Sequence, residues 1–263
     1  MNDERRRPGR LLRLVALGMV AGLLSGMFGV GGGLLVVPGL IWLIGLDARR
    51  AAGTSLLAVL PTALVGVLAY AGRGQVDAQL ALLLGAGGLL GAPAGSRLLH
   101  RLPIRVVRFA FLGLLAATIV SLLVVVPSRE AVLHIDPPLG LALLALGLLA
   151  GVCSGLLGIG GGAIVVPALT LLFGTSDLLA KGSSLLMMIV TSLSGTLSNA
   201  LRRNVDVVAA LAVGLAACAT TGAGAWLAAA LPPRGAGVAF AAFLLLIGLR
   251  LLREALRDGG GER

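Results

Sequence analysis

Residues 22–40 read GLLSGMFGVGGGLLVVPGL, and residues 151–169 read GVCSGLLGIGGGAIVVPAL. Aligned without gaps, 11 of these 19 positions are identical. The same offset of 129 residues persists downstream, where GTSLL at 53–57 aligns with GSSLL at 182–186. Agreement at one spacing over a long stretch indicates an internal duplication, so we expect two copies of one structural unit.

The composition places both copies in a membrane. Of the 263 residues, 58% are hydrophobic and only 12% are charged, and the mean hydropathy is +1.04. A soluble domain carries about a quarter charged residues, so this chain has too little polar surface to cover itself in water. We therefore expect an all-α fold, a polytopic transmembrane helix bundle made of two tandem repeats.

The basic character of the chain points to lipid rather than to nucleic acid. The formal charge is +10, and aromatic residues make up only 3% of the chain. The basic residues are spread among short polar segments and the chain ends, whereas a nucleic-acid surface gathers them on one face. Their distribution fits the positive-inside rule and attraction to anionic headgroups. We expect membrane lipids and a small anionic solute as partners, and no nucleic acid.

Chemistry-bearing side chains are sparse. Cys153 and Cys218 lie in apolar runs, and His100 and His134 are far apart in polar segments. These residues show neither metal-ligand spacing nor a disulfide framework. We therefore expect no metal, no cofactor and no enzymatic activity.

The repeat predicts the domain organisation. A basic N-terminal tail and the first transmembrane repeat occupy 1–126, a linker loop 127–138, the second transmembrane repeat 139–255, and a polar C-terminal tail 256–263. The arginines before Leu14 resemble the start of a signal peptide. Because the apolar stretch that follows them has a near copy in mid-chain, we expect it to belong to the mature structure.

Both repeats divide in the same way. A long glycine-rich stretch comes first, at 14–46 and at 139–174. Three ordinary spans follow in each half, at 52–71, 78–97 and 105–126 and at 182–200, 207–230 and 236–252. Because a straight crossing needs only about 20 residues, each first stretch is too long for a single one.

The glycine-rich stretches are interrupted near their middle. Three consecutive glycines and a later proline occur in each, and glycine costs about 0.8–1 kcal/mol per residue in a helix relative to alanine. The pattern predicts two helical arms around a break. The arms could form one tilted crossing or a hairpin that returns to its starting side, either as full crossings or as re-entrant segments.

The arginine distribution favours the hairpin. With single crossings, 13 Lys and Arg residues lie inside and 8 outside, whereas hairpins place 17 inside and 4 outside. Hairpins also invert the second repeat relative to the first and put both chain ends in the cytoplasm.

Inverted repeats with broken helices are a recurring transporter plan, with the substrate near the midplane. Helix N-termini and glycine-rich turns present N–H groups that favour an anion. We therefore expect substrate-binding residues at Gly31, Gly32, Gly33, Pro38, Gly160, Gly161, Gly162 and Pro167. The outer glycines recur at four-residue spacing, which favours close helix packing instead; they are Gly18, Gly22 and Gly26, and Gly147, Gly151 and Gly155.

Polar side chains at membrane depth extend the predicted site. The candidates are Thr54 and Ser55, their counterparts Ser183 and Ser184, and Thr191, Ser194 and Asn199 later in the span at 182–200. Their hydroxyl and amide groups can hold an oxyanion without a buried charge. The alternative is that each hydroxyl bonds a carbonyl of its own helix.

The paired GxGGGxxxVP runs, with GTS and GSS after them and VD after each second span, resemble the sulfite exporter TauE/SafE family of permeases. The resemblance covers nearly the whole chain. It implies a bacterial inner-membrane carrier for sulfite or organosulfonates, with about eight spans. The motif glycines and prolines carry over directly. The second half departs from the pattern, with Lys181 before Gly182 and Ser183 in place of the threonine.

The function that these features predict is export of a small anion across the inner (plasma) membrane. No charged residue lies in the middle of an ordinary predicted span, so there is no plain carboxylate relay for protons. An inside-negative potential can drive an anion outward without a coupled ion. The alternatives are a passive anion channel and a non-transporting membrane subunit or anchor.

Overall fold

The structure, a computed structural model, describes residues 8–124 and 136–258, and these residues form ten helices and no strand. The all-α prediction is confirmed. The helices are α1 (Pro8–Phe28), α2 (Gly33–Ile44), α3 (Ala48–Ala71), α4 (Ala78–Arg101), α5 (Ile104–Val124), α6 (Pro137–Leu157), α7 (Gly162–Leu172), α8 (Asp177–Ala200), α9 (Val207–Ala230) and α10 (Pro233–Asp258). The start of the predicted N-terminal tail, most of the linker at 127–138 with His134, and the end of the tail at 256–263 lie outside the described residues.

Seven helices of the described residues are long and apolar enough to cross a membrane; they are α1, α3, α4, α5, α6, α8 and α9. The predicted span at 236–252 falls within α10. Two further apolar helices, α2 and α7, have only 12 and 11 residues. At 1.5 Å per residue each is about 18 Å long, well short of the 30 Å hydrocarbon core.

The chain turns back at the first glycine break. From Gly33, α2 runs alongside α1 in the opposite direction, so that Gly39 contacts the Leu17 side chain. Near the open end of this hairpin, Nη1 of Arg13 donates to the Leu43 carbonyl at 3.4 Å. The first glycine-rich stretch is therefore a hairpin with a short second arm, not one tilted crossing.

The second break has the same form. Helix α7 starts at Gly162 and returns toward the start of α6, where Leu139 packs against the same hydrophobic cluster as Phe173. Both α2 and α7 contain a proline, Pro38 and Pro167. These prolines lie in the second turn of their helices, where each removes one intrahelical bond, because the Leu34 and Ala163 carbonyls have no N–H four residues later.

Helix α1 packs along α9 of the other half. Gly18 lies against the Val213 carbonyl, and two turns later Gly26 lies against the Thr221 carbonyl. Because both numbers rise together, the two helices run parallel. A Cβ atom at these glycines would overlap the opposing backbone, so the absence of a side chain sets the closeness of the pair.

Helix α6 packs along α4 in the same manner. Gly147 faces the Leu84 carbonyl and Gly155 faces the Ala92 carbonyl, so this pair is also parallel. The first helix of each half therefore packs against a helix of the other half. The packing role expected for the outer glycines is what the structure shows.

The remaining contacts fix the direction of every central helix. Ala58 of α3 contacts Gly214, and Arg73, just after the end of α3, bonds the Ala225 carbonyl, so α3 runs parallel to α9. In the same way α8 runs parallel to α4, and α3 and α8 cross antiparallel, with Gly66 against Leu185. Helices α1, α3 and α9 thus begin at one end of the bundle, here called the first end, and α4, α6 and α8 begin at the second end.

The glycine contacts predict that alanine affects stability differently at closely packed and at open glycine positions. We expect Gly22→Ala and Gly155→Ala each to destabilise the fold by about 1–3 kcal/mol, because the new Cβ atom meets the Ala217 or Ala92 carbonyl oxygen. Gly222 of α9 has nothing within 4 Å of a Cβ position. Gly222→Ala should leave stability unchanged or raise it, since alanine is the better helix former.

Thermal unfolding of the three purified variants in one detergent checks this expectation. A drop of the melting temperature at Gly222 equal to that at Gly22 would contradict the close-packing account.

Candidate substrate pathway and functional site

Two glycine turns, residues 29–32 and 158–161, connect the arms of the hairpins. Six of their residues have left-handed φ angles that side-chain-bearing residues rarely adopt. They are Gly29 (66°), Gly31 (75°), Gly32 (72°), Gly158 (75°), Gly160 (81°) and Gly161 (98°). The tight reversal of each hairpin depends on this backbone geometry.

The two turns meet each other inside the bundle. A Cβ atom at Gly33 would fall on the backbone of Ile159, and one at Gly162 would fall on the Gly29 carbonyl. Helices α2 and α7 therefore both begin at this junction, and their N-caps, Gly32 and Gly161, supply no side-chain cap. Two positive helix ends converge on one place.

Helix α8 holds both turns with one face. Ser184 Oγ donates to the Gly29 carbonyl at 2.7 Å, and Thr191 Oγ1 donates to the Gly160 carbonyl at 2.9 Å. Between them, the Met188 side chain lies against Gly31 and Gly160. These hydroxyls bond the turns rather than their own helix, although Thr191 also reaches the Met188 carbonyl at 3.3 Å.

The corresponding face of α3 makes different bonds. Val59, the counterpart of Met188, also contacts Gly31 and Gly160. Thr62 Oγ1 donates to the Ala58 carbonyl of its own helix at 2.9 Å. Ser55 is fully buried, and its hydroxyl has no hydrogen-bond partner among the described residues. Hydroxyls of α8 thus bond the glycine turns, whereas Thr62, the counterpart of Thr191 in α3, bonds its own helix.

A cavity of about 210 Å³, cavity 1, opens near the first end of the bundle. Its lining includes Val37, Pro38, Asp47, Arg108, Phe111 and Leu157. Most of these side chains are apolar. Pro38 of the predicted site lies here, and Leu157 directly precedes the second glycine turn.

A second cavity of about 60 Å³, cavity 2, lies toward the second end. Its lining includes Phe28, Pro167, Thr170, Asp177, Lys181 and Arg234. Phe28 directly precedes the first glycine turn, so the junction of the turns lies between the two cavities. Helix α5 borders both, with Phe111 in cavity 1 and Thr118 in cavity 2.

Sequence reasoning missed the ion pair of cavity 2. Lys181 Nζ lies 2.7 Å from Asp177 Oδ2, and the two residues are only 7% and 5% exposed. The predicted span started at 182, whereas α8 begins at Asp177, which puts both charges inside the helix. A signal was present, because Lys181 is the only lysine of the chain and aligns with Ala52 of the first repeat.

Thr54 and Ser183 tie helix ends together. Thr54 Oγ1 accepts the Asp206 N–H at 2.9 Å, and Ser183 Oγ accepts the Asp77 N–H at 2.9 Å. Asp206 and Asp77 in turn cap α9 and α4. These two hydroxyls lie nearer the two ends of the bundle than the glycine junction does.

Ser194 and Asn199 also lie apart from the junction. Ser194 Oγ donates to the Leu89 carbonyl of α4 at 3.0 Å. Asn199 Nδ2 donates to the Gly195 carbonyl at 2.9 Å, and its Oδ1 has no partner among the described residues. Of the predicted site, the structure brings together the glycines of the turns with Ser184 and Thr191.

This architecture, a helical bundle with two hairpins that meet inside it between two cavities, defines a polytopic membrane protein. The chain belongs to the sulfite exporter TauE/SafE family, which it matches over residues 1–122 and 143–263.

Curated relatives agree with this assignment. The Bacillus subtilis "Probable membrane transporter protein YunE" is 29% identical over 227 residues, covering 76% of this chain and 82% of its own. A "Probable membrane transporter protein" of Xylella fastidiosa strain 9a5c is 31% identical over 202 residues, covering 74% and 76%. No solved structure matches. The family is thus one of membrane transporters.

The different bonds of Thr191 and Thr62 predict different losses of stability when each threonine is replaced by valine. Thr191→Val removes the hydroxyl that binds the Gly160 carbonyl, which should cost about 1–3 kcal/mol because a buried carbonyl loses its donor. Thr62→Val alters the same residue type at the equivalent position, where the Ala58 carbonyl keeps its helical N–H. At Thr62 we expect less than half of the stability loss that Thr191→Val causes, as measured by thermal unfolding in detergent. Equal losses would contradict a special role for the Thr191 bond.

Proposed function

We propose that this protein is a permease that moves small anions, sulfite or organosulfonates, outward across the bacterial inner membrane. The observation that carries the proposal is the convergence of the α2 and α7 N-termini at the junction of the glycine turns, between two cavities. Unpaired N–H groups and aligned peptide dipoles at such a place favour an anion. Broken helices that meet between repeats are where transporters bind their substrates.

The proposed site has a centre and a support. Its centre is formed by the turns and by the hydroxyls that bond them, namely Gly31, Gly32, Gly33, Gly160, Gly161, Gly162, Ser184 and Thr191. We include Ser55, the buried counterpart of Ser184, whose hydroxyl has no partner among the described residues. Pro38 and Pro167 mark the approaches from the two cavities. Thr54, Ser183, Ser194 and Asn199 fix the positions of α3 and α8, and we propose that they act on the substrate through that support.

Alternating access follows from the same arrangement. Cavity 1 reaches the junction from the first end and cavity 2 from the second. Counterpart helices of the two halves run in opposite directions, so the proposed repeats at 1–126 and 139–255 are inverted. Movement of one hairpin against the other would then open one cavity while it closes the other.

The charge distribution supports an orientation with both chain ends in the cytoplasm. Arginines are numerous at the first end, which includes Arg10, Arg13, Arg49, Arg50, Arg97, Arg101, Arg202 and Arg203. The second end holds Arg73, Lys181 and Arg234. By the positive-inside rule the first end faces the cytoplasm, and cavity 2 then faces outward.

Flux in proteoliposomes tests the transport proposal directly. Radiolabelled sulfite should enter wild-type vesicles with saturable kinetics. The variant that combines Gly32→Ala with Gly161→Ala should lose at least about nine tenths of this flux. Each alanine is strained by about 1–2 kcal/mol in the left-handed region, so the two turns cannot keep their geometry without that cost.

The matched control is Gly45→Ala combined with Gly174→Ala. Both glycines are left-handed, at 70° and 63°, but they have open space around them and lie beyond the far ends of α2 and α7. Flux that survives in the junction variant, or that is lost equally in the control, would refute the proposed site. Flux that rises linearly without saturation would indicate a channel.

The direction of transport should depend on the membrane potential. Each charge gains about 2.3 kcal/mol per 100 mV, so a potential of 100 mV can hold a roughly 50-fold gradient of a monoanion. In vesicles loaded with sulfite, efflux toward the positive side should fall steeply when valinomycin and potassium collapse the potential. Unchanged efflux would mean that a coupled ion or an electroneutral exchange drives transport.

A further inference from the structure

The Lys181–Asp177 pair of cavity 2 has no structural counterpart in the first repeat. The aligned positions are Ala48 and Ala52, and both alanines line cavity 1. The hairpin and the start of the following helix therefore form with alanine at these positions. A buried ion pair is often no more stable than apolar residues in its place, so its presence on one side alone calls for a functional reason.

The lysine side chain is held at the glycine turn. Its stem lies against Gly29, whose missing side chain leaves the space, and its ammonium group lies 5.8 Å from the centre of the Phe28 ring. Three residues farther along α8, Ser184 bonds the carbonyl of the same Gly29. The charge at the wall of cavity 2 is thus connected directly to the junction proposed above as the transport site.

Cavity 2 offers an anion more positive charge than cavity 1 does. Its lining combines Lys181 and Arg234 with Asp177, whereas the charged residues that line cavity 1 are Arg108 and Asp47.

The threonine hydroxyls that line cavity 2 donate to carbonyls of their own helices rather than into the cavity. Thr170 Oγ1 donates to the Val166 carbonyl at 2.7 Å, and Thr118 Oγ1 donates to the Leu114 carbonyl at 2.9 Å. The ammonium group is therefore a buried donor at the wall of this cavity. It has three N–H groups, and one of them contacts Asp177.

We propose that Lys181 is the anion-binding residue of cavity 2 and that Asp177 is an internal counter-ion, which a small oxyanion displaces when it binds. The inference rests on the proposed transport function. Asp177 compensates the buried ammonium when cavity 2 is empty and competes with the substrate when it is filled. Loss of the carboxylate should therefore tighten binding, and loss of the ammonium should weaken it.

The lone lysine provides the binding assay. Protein grown with lysine labelled at ¹³Cε and ¹⁵Nζ carries one labelled side chain, whose resonance can be followed in detergent while sulfite, sulfate or phosphate is added. We expect a saturable shift with at least one of the three anions. In Asp177→Asn the same titration should give a Kd lower by about threefold or more, because a charged competitor is gone.

For the variants that lack Lys181, isothermal titration calorimetry measures the Kd of the anion. Lys181→Met should raise the Kd about tenfold or more, as expected for a lost charge-assisted bond. That variant leaves Asp177 buried alone, so Asp177→Asn combined with Lys181→Met serves as the decisive one, since it removes both charges as the alanines of the first repeat do. Arg73→Gln, at the same end but outside the lining of cavity 2, is the control and should keep the Kd within about twofold.

The outcomes separate this inference from the transport proposal. Wild-type flux with a lysine resonance that none of the three anions moves, or with an unchanged Kd in the double variant, overturns the role of Lys181 and leaves transport intact. A saturable shift of the lysine resonance in a protein that transports none of the anions supports the binding site and refutes the permease. An unchanged or higher Kd in Asp177→Asn overturns the role of Asp177 as a competitor.

Discussion

The peptide groups of the two glycine turns lie inside the bundle, and the rest of the structure depends on how those groups are accommodated. In lipid a backbone N–H or C=O without a partner costs several kcal/mol, so an interrupted helix is stable only when protein surrounds the interruption. Here each turn contacts the other, and α8 supplies hydroxyls to both through Ser184 and Thr191. The same arrangement brings the N-termini of α2 and α7 together, and the proposed anion site rests on that convergence.

Small residues hold this arrangement in position. Because Gly18, Gly22 and Gly26 let α1 approach α9, and their counterparts let α6 approach α4, each hairpin is anchored on the opposite half of the chain. Residues of both halves enclose each glycine turn. The two cavities are consequently shared as well, since the end of α1 borders cavity 2 and the end of α6 borders cavity 1. A movement between the halves must alter both cavities together, which is the coupling that alternating access needs.

The two halves differ in the side-chain chemistry that they offer. Thr191 bonds a glycine turn, whereas Thr62 bonds its own helix, and Lys181 stands where the first half has Ala52. The two halves share matching sequence at one offset, and the residues that differ between them decide where charge and hydrogen bonds are offered. The anion site proposed for cavity 2 depends on this side-chain chemistry, in addition to the backbone groups that both halves contribute.

The sequence by itself determined the helical membrane class, the position of both breaks and the family, because hydropathy, glycine content and a motif that recurs at a fixed offset are local or repetitive signals. It also identified the glycines of the turns and two hydroxyls that bond them. Only the tertiary structure decided that α1 lies on α9, where Arg10 and Asp206 meet across 196 residues, and that Lys181 is buried beside Asp177. Such contacts depend on which helix faces fit closely in three dimensions, and a spacing along the chain does not encode that fit.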